Sequence, residues 1–117
     1  MTPVRVYLCD DSASFRLLVR EMLRETGEIE VVGEASTIEE ARAGLPGSDA
    51  QVVLLDLLDR EHEDELVAQL RDSAPGARFV VYSGMPERQG EAAEAHVHKS
   101  AQFEELRRVI VEVAAGA

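Results

Sequence analysis

Gln51-Val52-Val53-Leu54-Leu55-Asp56 is the stretch that decides the fold. Its consecutive apolar side chains leave no polar face, so a strand here must be covered on both sides, as strands of parallel sheets are. The run stops on a carboxylate. Toward the N-terminus, Val4-Arg5-Val6-Tyr7-Leu8-Cys9 is a second β-rich run, and it ends on Asp10-Asp11-Ser12, a turn or helix-cap signal. Between the two, Phe15, Leu18, Val19, Met22 and Leu23 recur at helical spacing, with Gly27 as a stop. Residues 30–35 read as another strand. Ser36-Thr37-Ile38-Glu39 matches a capping box opening a short helix through Ala41 and Leu45 to Gly47.

The alternation continues toward the C-terminus. Leu66 and Leu70 suggest a helix over residues 61–73, closed by Pro75-Gly76. Residues 78–83 read as a fourth strand and His96-Val97-His98 as a short fifth. Ser100 is the expected cap of a last helix whose apolar face is Phe103, Leu106, Ile110 and Val113. Strands and helices in alternation predict an α/β fold with a parallel sheet and helices on both faces. No linker, low-complexity tract or second domain is visible, so residues 1–117 are expected to form one domain.

Composition narrows the function classes. At 117 residues and 45% hydrophobic content the chain can bury a core without staples. The single Cys9 lies inside an apolar run and no signal pattern opens the chain, so a reduced cytoplasmic protein is expected. No apolar stretch approaches the roughly 20 residues that span a bilayer. A net charge of −11, from 23 acids against 12 bases, opposes binding to a phosphate backbone, so no direct nucleic-acid contact is expected. Eleven of those bases are Arg, and Lys99 is the only Lys.

Asp10, Asp11, Asp56, Ser83 and Lys99 all fall where β-rich runs end. In an open parallel sheet those ends line one crevice, where ligands bind. Magnesium binds through one or two carboxylates plus water and a phosphate, and three crowded carboxylates repel one another unless a cation is present. Asp56 stands alone at the end of the most apolar strand and is the candidate nucleophile toward phosphorus, forming an aspartyl phosphate. Ser83 can donate a hydrogen bond to one phosphoryl oxygen and Lys99 can pair with another, which supplies the charge neutralisation that phosphoryl transfer needs.

These residues, with Val-Arg-Val-Tyr-Leu-Cys-Asp-Asp-Ser and the following Phe15-Arg16, resemble a response-regulator receiver domain over essentially the whole chain. The resemblance implies a flavodoxin-like (CheY-like) three-layer sandwich with strand order 2-1-3-4-5. It also implies that Asp10 and Asp11 bind Mg2+, with Asp56 and the Leu58 backbone carbonyl as further ligands. Asp56 would be the phosphoacceptor, Ser83 the switch hydroxyl and Lys99 the phosphate-sensing lysine. The implied role is two-component signalling rather than turnover of a substrate. A histidine kinase or phosphotransfer protein would donate, and a downstream protein would read the result; self-association as a homodimer stays open. The sequence contains no helix-turn-helix, so if the chain is complete, output is expected through protein contact.

Several positions depart from the family pattern. After Asp56 the chain reads Leu57-Leu58-Asp59-Arg60-Glu61-His62-Glu63, shorter and more acidic than the usual Met-Pro and Gly. These acids either rim the site or form a solvated helix start, where carboxylates are favourable. Fifteen residues separate Ser83 from Lys99. Residues 86–95 then leave room for a fourth helix of barely two turns, roughly 12 to 15 Å long. The position three before the lysine, commonly aromatic and coupled to the switch hydroxyl, is His96. It is either an exposed strand residue or a pH-sensitive reporter, given histidine's reference value of ~6.5. A zinc site from His96, His98 and Glu94 is a weak alternative. Leu58 and Met85, at positions that the resemblance implies influence loss of the phosphoryl group, are apolar, which fits either slow loss or ordinary partial burial, and Cys9 reads as core packing.

Two other functions compete. A degenerate receiver would bind a partner without being phosphorylated, a reading kept open by the shortened loops and His96. A magnesium-dependent phosphohydrolase is the weakest, because Asp56-Leu57-Leu58-Asp59 lacks an Asp-x-Asp spacing.

Overall fold

The computed structural model describes residues 2–56, 62–84 and 90–116. Strands β1 (Val4–Asp10), β2 (Ile29–Ala35), β3 (Val52–Asp56), β4 (Arg78–Ser83) and β5 (Ala95–His98) form one sheet. Helices α1 (Ala13–Arg24), α2 (Ile38–Gly44), α3 (Glu63–Ser73) and α4 (Phe103–Ala114) connect or follow them, and a 3-10 turn extends α2 over Leu45–Gly47. The order is β2-β1-β3-β4-β5 with every pair parallel, as expected. This is the flavodoxin-like arrangement.

Alternation along the strands divides the core in two. Val6, Leu8, Val52, Leu54, Val80, Tyr82 and Val97 face α1 and α4, which contribute Val19, Leu23, Leu106 and Ile110. Tyr7, Cys9, Val53, Leu55, Phe79 and Val81 face α2 and α3, which contribute Ala41, Val67 and Leu70. All five residues of β3 are buried, so the sequence run that predicted a doubly covered strand is the centre of the sheet. Burying a Leu or Phe stabilises by ~1.5–3 kcal/mol each, so these two layers provide the main driving force for folding.

The register between β1 and β2 slips by one residue between Val6 and Tyr7, leaving Tyr7 opposite Gly33. A Cβ on Gly33 would meet Tyr7 Cε2 at 2.5 Å, so glycine there makes room for the buried ring. Ser12 caps α1, its Oγ accepting from Phe15 N at 3.3 Å, so the helix begins directly after the acidic pair.

Four local expectations are corrected. The cap of α2 is Thr37, accepting from Glu40 N at 3.1 Å, while Glu40 reaches back to Ser36 N; the box is displaced by one residue. Leu18 is 47% exposed beside Leu17, and the inward face of α1 is carried by Phe15, Val19 and Leu23. Gln102, with no side-chain cap bond, precedes α4, because Ser100 Oγ is engaged with His98 Nδ1. Helix α3 spans Glu63–Ser73, and residue 61 lies outside the described residues. Of the fourth helix expected over residues 86–95, the described residues 90–94 are not helical, and residues 85–89 lie outside the described ones, as do Leu58 and Asp59.

Candidate functional site

Asp10 and Asp56 are the last residues of β1 and β3 and are direct cross-strand partners. Both are only 5% exposed. Lys99, the residue after β5, reaches back so that Nζ lies 2.7 Å from Asp56 Oδ2. Its backbone N–H donates to Ser83 O at 2.8 Å, which fixes the start of its side chain at the end of β4. Ser83 is itself 5% exposed, and Asp11 is exposed in the turn that follows β1. The structure thus joins Asp10, Asp56 and Lys99 directly, with Ser83 at the next strand end and Asp11 outermost. The expected Leu58 carbonyl lies outside the described residues.

Burial, reinforced by Asp56, pushes the Asp10 carboxyl up from 3.8 to about 6, against the opposing pull of Ser12 N–H and Lys99. Asp10 therefore holds its proton more tightly in the folded chain than in the unfolded one. Its carboxylate destabilises the fold above pH 6, and the penalty is relieved as pH falls from 6 toward 3.8. Asp10→Asn should stabilise the metal-free protein at pH 7.5 by about 1–2 kcal/mol. Thermal melts along a pH series check this, with the gain over the parent vanishing near pH 4.

Arg16 braces the same corner, donating to Asp10 O at 2.7 Å and to Glu34 Oε1 at 3.1 Å. Phe15 lies under the Lys99 ammonium, 4.7 Å from Nζ to the ring centroid, and stacks on Tyr82 with centroids 5.8 Å apart. Burial, with Asp56 nearby, raises the Tyr82 hydroxyl. Burial, then the neighbouring acids, push the Cys9 thiol up to about 12, which fits inert core packing.

Among the described residues, no three His, Cys, Asp or Glu side chains form a ready metal cage. The oxygen-only pair of Asp10 and Asp56, crowded and buried, nevertheless suits a small hard cation, which commonly binds through one or two carboxylates and completes its shell with water and phosphate. The zinc alternative fails among the described residues. Glu94 is engaged by Arg71 and Phe79 N, His96 by Glu63, and His98 by Ser100.

His96 is not the exposed strand residue that was one of its two readings. Alternation on β5 turns it toward α3, where Nε2 donates to Glu63 Oε2 at 2.9 Å, with side chains 12% and 6% exposed. The same Glu63 oxygen accepts from Gly90 N at 2.8 Å, and Asp64 Oδ1 accepts from Glu91 N and Ala92 N, both at 3.0 Å. Arg71 adds bonds of 2.8 Å to Ala92 O and to Glu94 Oε1. Glu63 and Asp64 thus bind the chain entering β5 to α3, while Asp59 and Glu61 lie outside the described residues. Sequence reading missed this strap and the Phe15 contact; the only local signal was the acidic first turn of α3.

A parallel sheet whose central strands end on paired buried carboxylates, with a lysine folded back onto one of them, defines a doubly wound α/β domain with an anionic carboxyl-end site. More particularly, the chain has the receiver-domain (CheY-like) fold of two-component response regulators, and its sequence is similar to theirs. The signal receiver domain of the putative response regulator NarL from Mycobacterium tuberculosis superposes with a TM-score of 0.85 at 25% identity, covering 100% of both chains. The DNA-binding transcriptional activator DevR/DosR of the same species is 29% identical over 97% of this chain, which spans 55% of the length of that protein. CheY6 from R. sphaeroides, solved in complex with the phosphorylated P1 domain of CheA3, superposes with a TM-score of 0.78 at 22% identity, covering 97% of this chain and 99% of the matched one. No family model matches the chain. Among the described residues, no helix is long and apolar enough to cross a membrane.

Proposed function

We propose that this chain is a phosphoacceptor receiver in which Asp56 takes a phosphoryl group from a phosphohistidine of a histidine kinase or phosphotransfer protein. The observation that carries this reading is the 2.7 Å pair between Lys99 Nζ and Asp56 Oδ2, beside Asp10 in cross-strand register. An Asp56 oxygen attacks phosphorus, the P–N bond to the donor imidazole breaks, and the imidazole leaves with the bonding pair. Lys99, freed from the Asp56 carboxylate, follows the negative charge outward onto a phosphoryl oxygen, and the Ser83 hydroxyl donates to another. Magnesium held by Asp10, Asp11, Asp56 and the Leu58 carbonyl would neutralise the remaining charge. The phosphorylated P1 complex of CheY6 supports a donor of this chemical class. The net charge of −11 over these 117 residues supports contacts of this domain with protein rather than with DNA.

Intact-protein mass after incubation with magnesium and acetyl phosphate tests the reading. One alkali-labile phosphoryl adduct on the parent is expected, and none on Asp56→Asn. No adduct with this donor or with a panel of histidine kinases would leave a phosphorylation-independent binding module as the better account.

A further inference from the structure

Lys99 has a long flexible stem, a side chain 35% exposed and an ion pair with Asp56. Two carboxylates and open solvent compete for its ammonium, so the Asp56 contact alone does not fix where it rests. The aromatic face beneath it supplies a second restraint. Nζ lies 4.7 Å from the Phe15 centroid, within the ~6 Å over which a ring face attracts a cation. Phe15 is itself held on two sides: its N–H is capped by Ser12 Oγ, and its ring stacks on Tyr82 at an interplanar angle of 20°. Tyr82 is 2% exposed within β4, so the stack rests on a buried residue of the sheet.

We infer that Phe15 is the positioning residue for Lys99, keeping its ammonium poised at Asp56 through the face of the ring. This rests on the proposed phosphoacceptor role and adds a residue to it. An aliphatic side chain at this place would fill the same space without the negative ring face, so shape alone would not replace it.

Because Lys99 is the only lysine, protein grown on lysine labelled with carbon-13 at Cε gives one side-chain signal. In the metal-free parent that signal should be shifted upfield by the ring. The shift should persist in Phe15→Tyr and vanish in Phe15→Leu, with thermal melts confirming that both variants are folded. In parallel, adduct formation from acetyl phosphate with magnesium should slow about fivefold in Phe15→Leu and recover in Phe15→Tyr. In a Lys99→Met background, Phe15→Leu should cause no further loss, since there is no ammonium left to place. An unshifted parent signal, an unchanged rate in Phe15→Leu, or a loss that persists without Lys99 would overturn the inference. A parent that forms no adduct with acetyl phosphate or with a panel of histidine kinases would instead overturn the phosphoacceptor role, and the labelled lysine would still decide the contact.

Discussion

Glu63→Ala should lower the free energy of unfolding by about 1–3 kcal/mol, the usual result of leaving buried donors without their acceptor. Glu63 is 6% exposed, and a single oxygen serves both His96 Nε2 and Gly90 N. Truncation leaves a half-buried imidazole and a backbone donor without their acceptor. Urea unfolding of Glu63→Ala, His96→Ala and the double variant measures the coupling. The double variant should be less destabilised than the sum of the singles, because each single strands the other's partner. Additive losses would mean that the two residues act independently and that the strap onto α3 is not held by this pair.

Phe79→Ala should cost about 3–5 kcal/mol, by lost transfer energy and the cavity left behind. Phe79 is fully buried in β4 on the α2 and α3 side, and Arg71 lies over its ring at 4.9 Å. Its backbone N–H donates to Glu94 Oε2 at 2.6 Å, so its strand joins the core to the strap. Urea denaturation checks the magnitude. The substitution should also weaken the Arg71 anchor, visible as faster exchange of the nearby amides. A loss under 1 kcal/mol would show that the layer collapses to fill the space.

The fold was legible because its signals are local and redundant. The run from Val52 to Asp56 could only be a doubly covered strand, and four further strands with intervening helical patterns left a parallel sheet as the consistent solution. Asp10, Asp56 and Lys99 were legible for the same reason: parallel strands bring their carboxyl ends together wherever they lie in sequence. Finer detail failed where the sequence offers two equivalent solutions. Ser36-Thr37 and Glu39-Glu40 provide two overlapping capping boxes, and only the path out of β2 selects the second. Leu17-Leu18-Val19 is apolar on every side, so helical phase there is set by packing against the sheet.

The strap was illegible for a different reason. Glu63 and His96 are 33 residues apart, and an acid in a first helical turn ordinarily faces water. Nothing in the local pattern says that this carboxylate will be buried by the chain entering β5. Phe15 is legible as part of the apolar face of α1 and of the opening motif but not as a cation partner, since a ring that packs and a ring that holds a cation have the same periodicity.

The bonds from Glu63 and Asp64 to the amides of Gly90, Glu91 and Ala92 also set how this edge of the molecule opens. A stretch without helix or strand would ordinarily exchange its amide protons at the rate of a fraying loop. Here those protons are held by carboxylates of α3, so their release requires that helix to give way. The segment and the first turn of α3 therefore form one cooperative unfolding unit, whose boundary follows side-chain bonds rather than the limits of secondary structure.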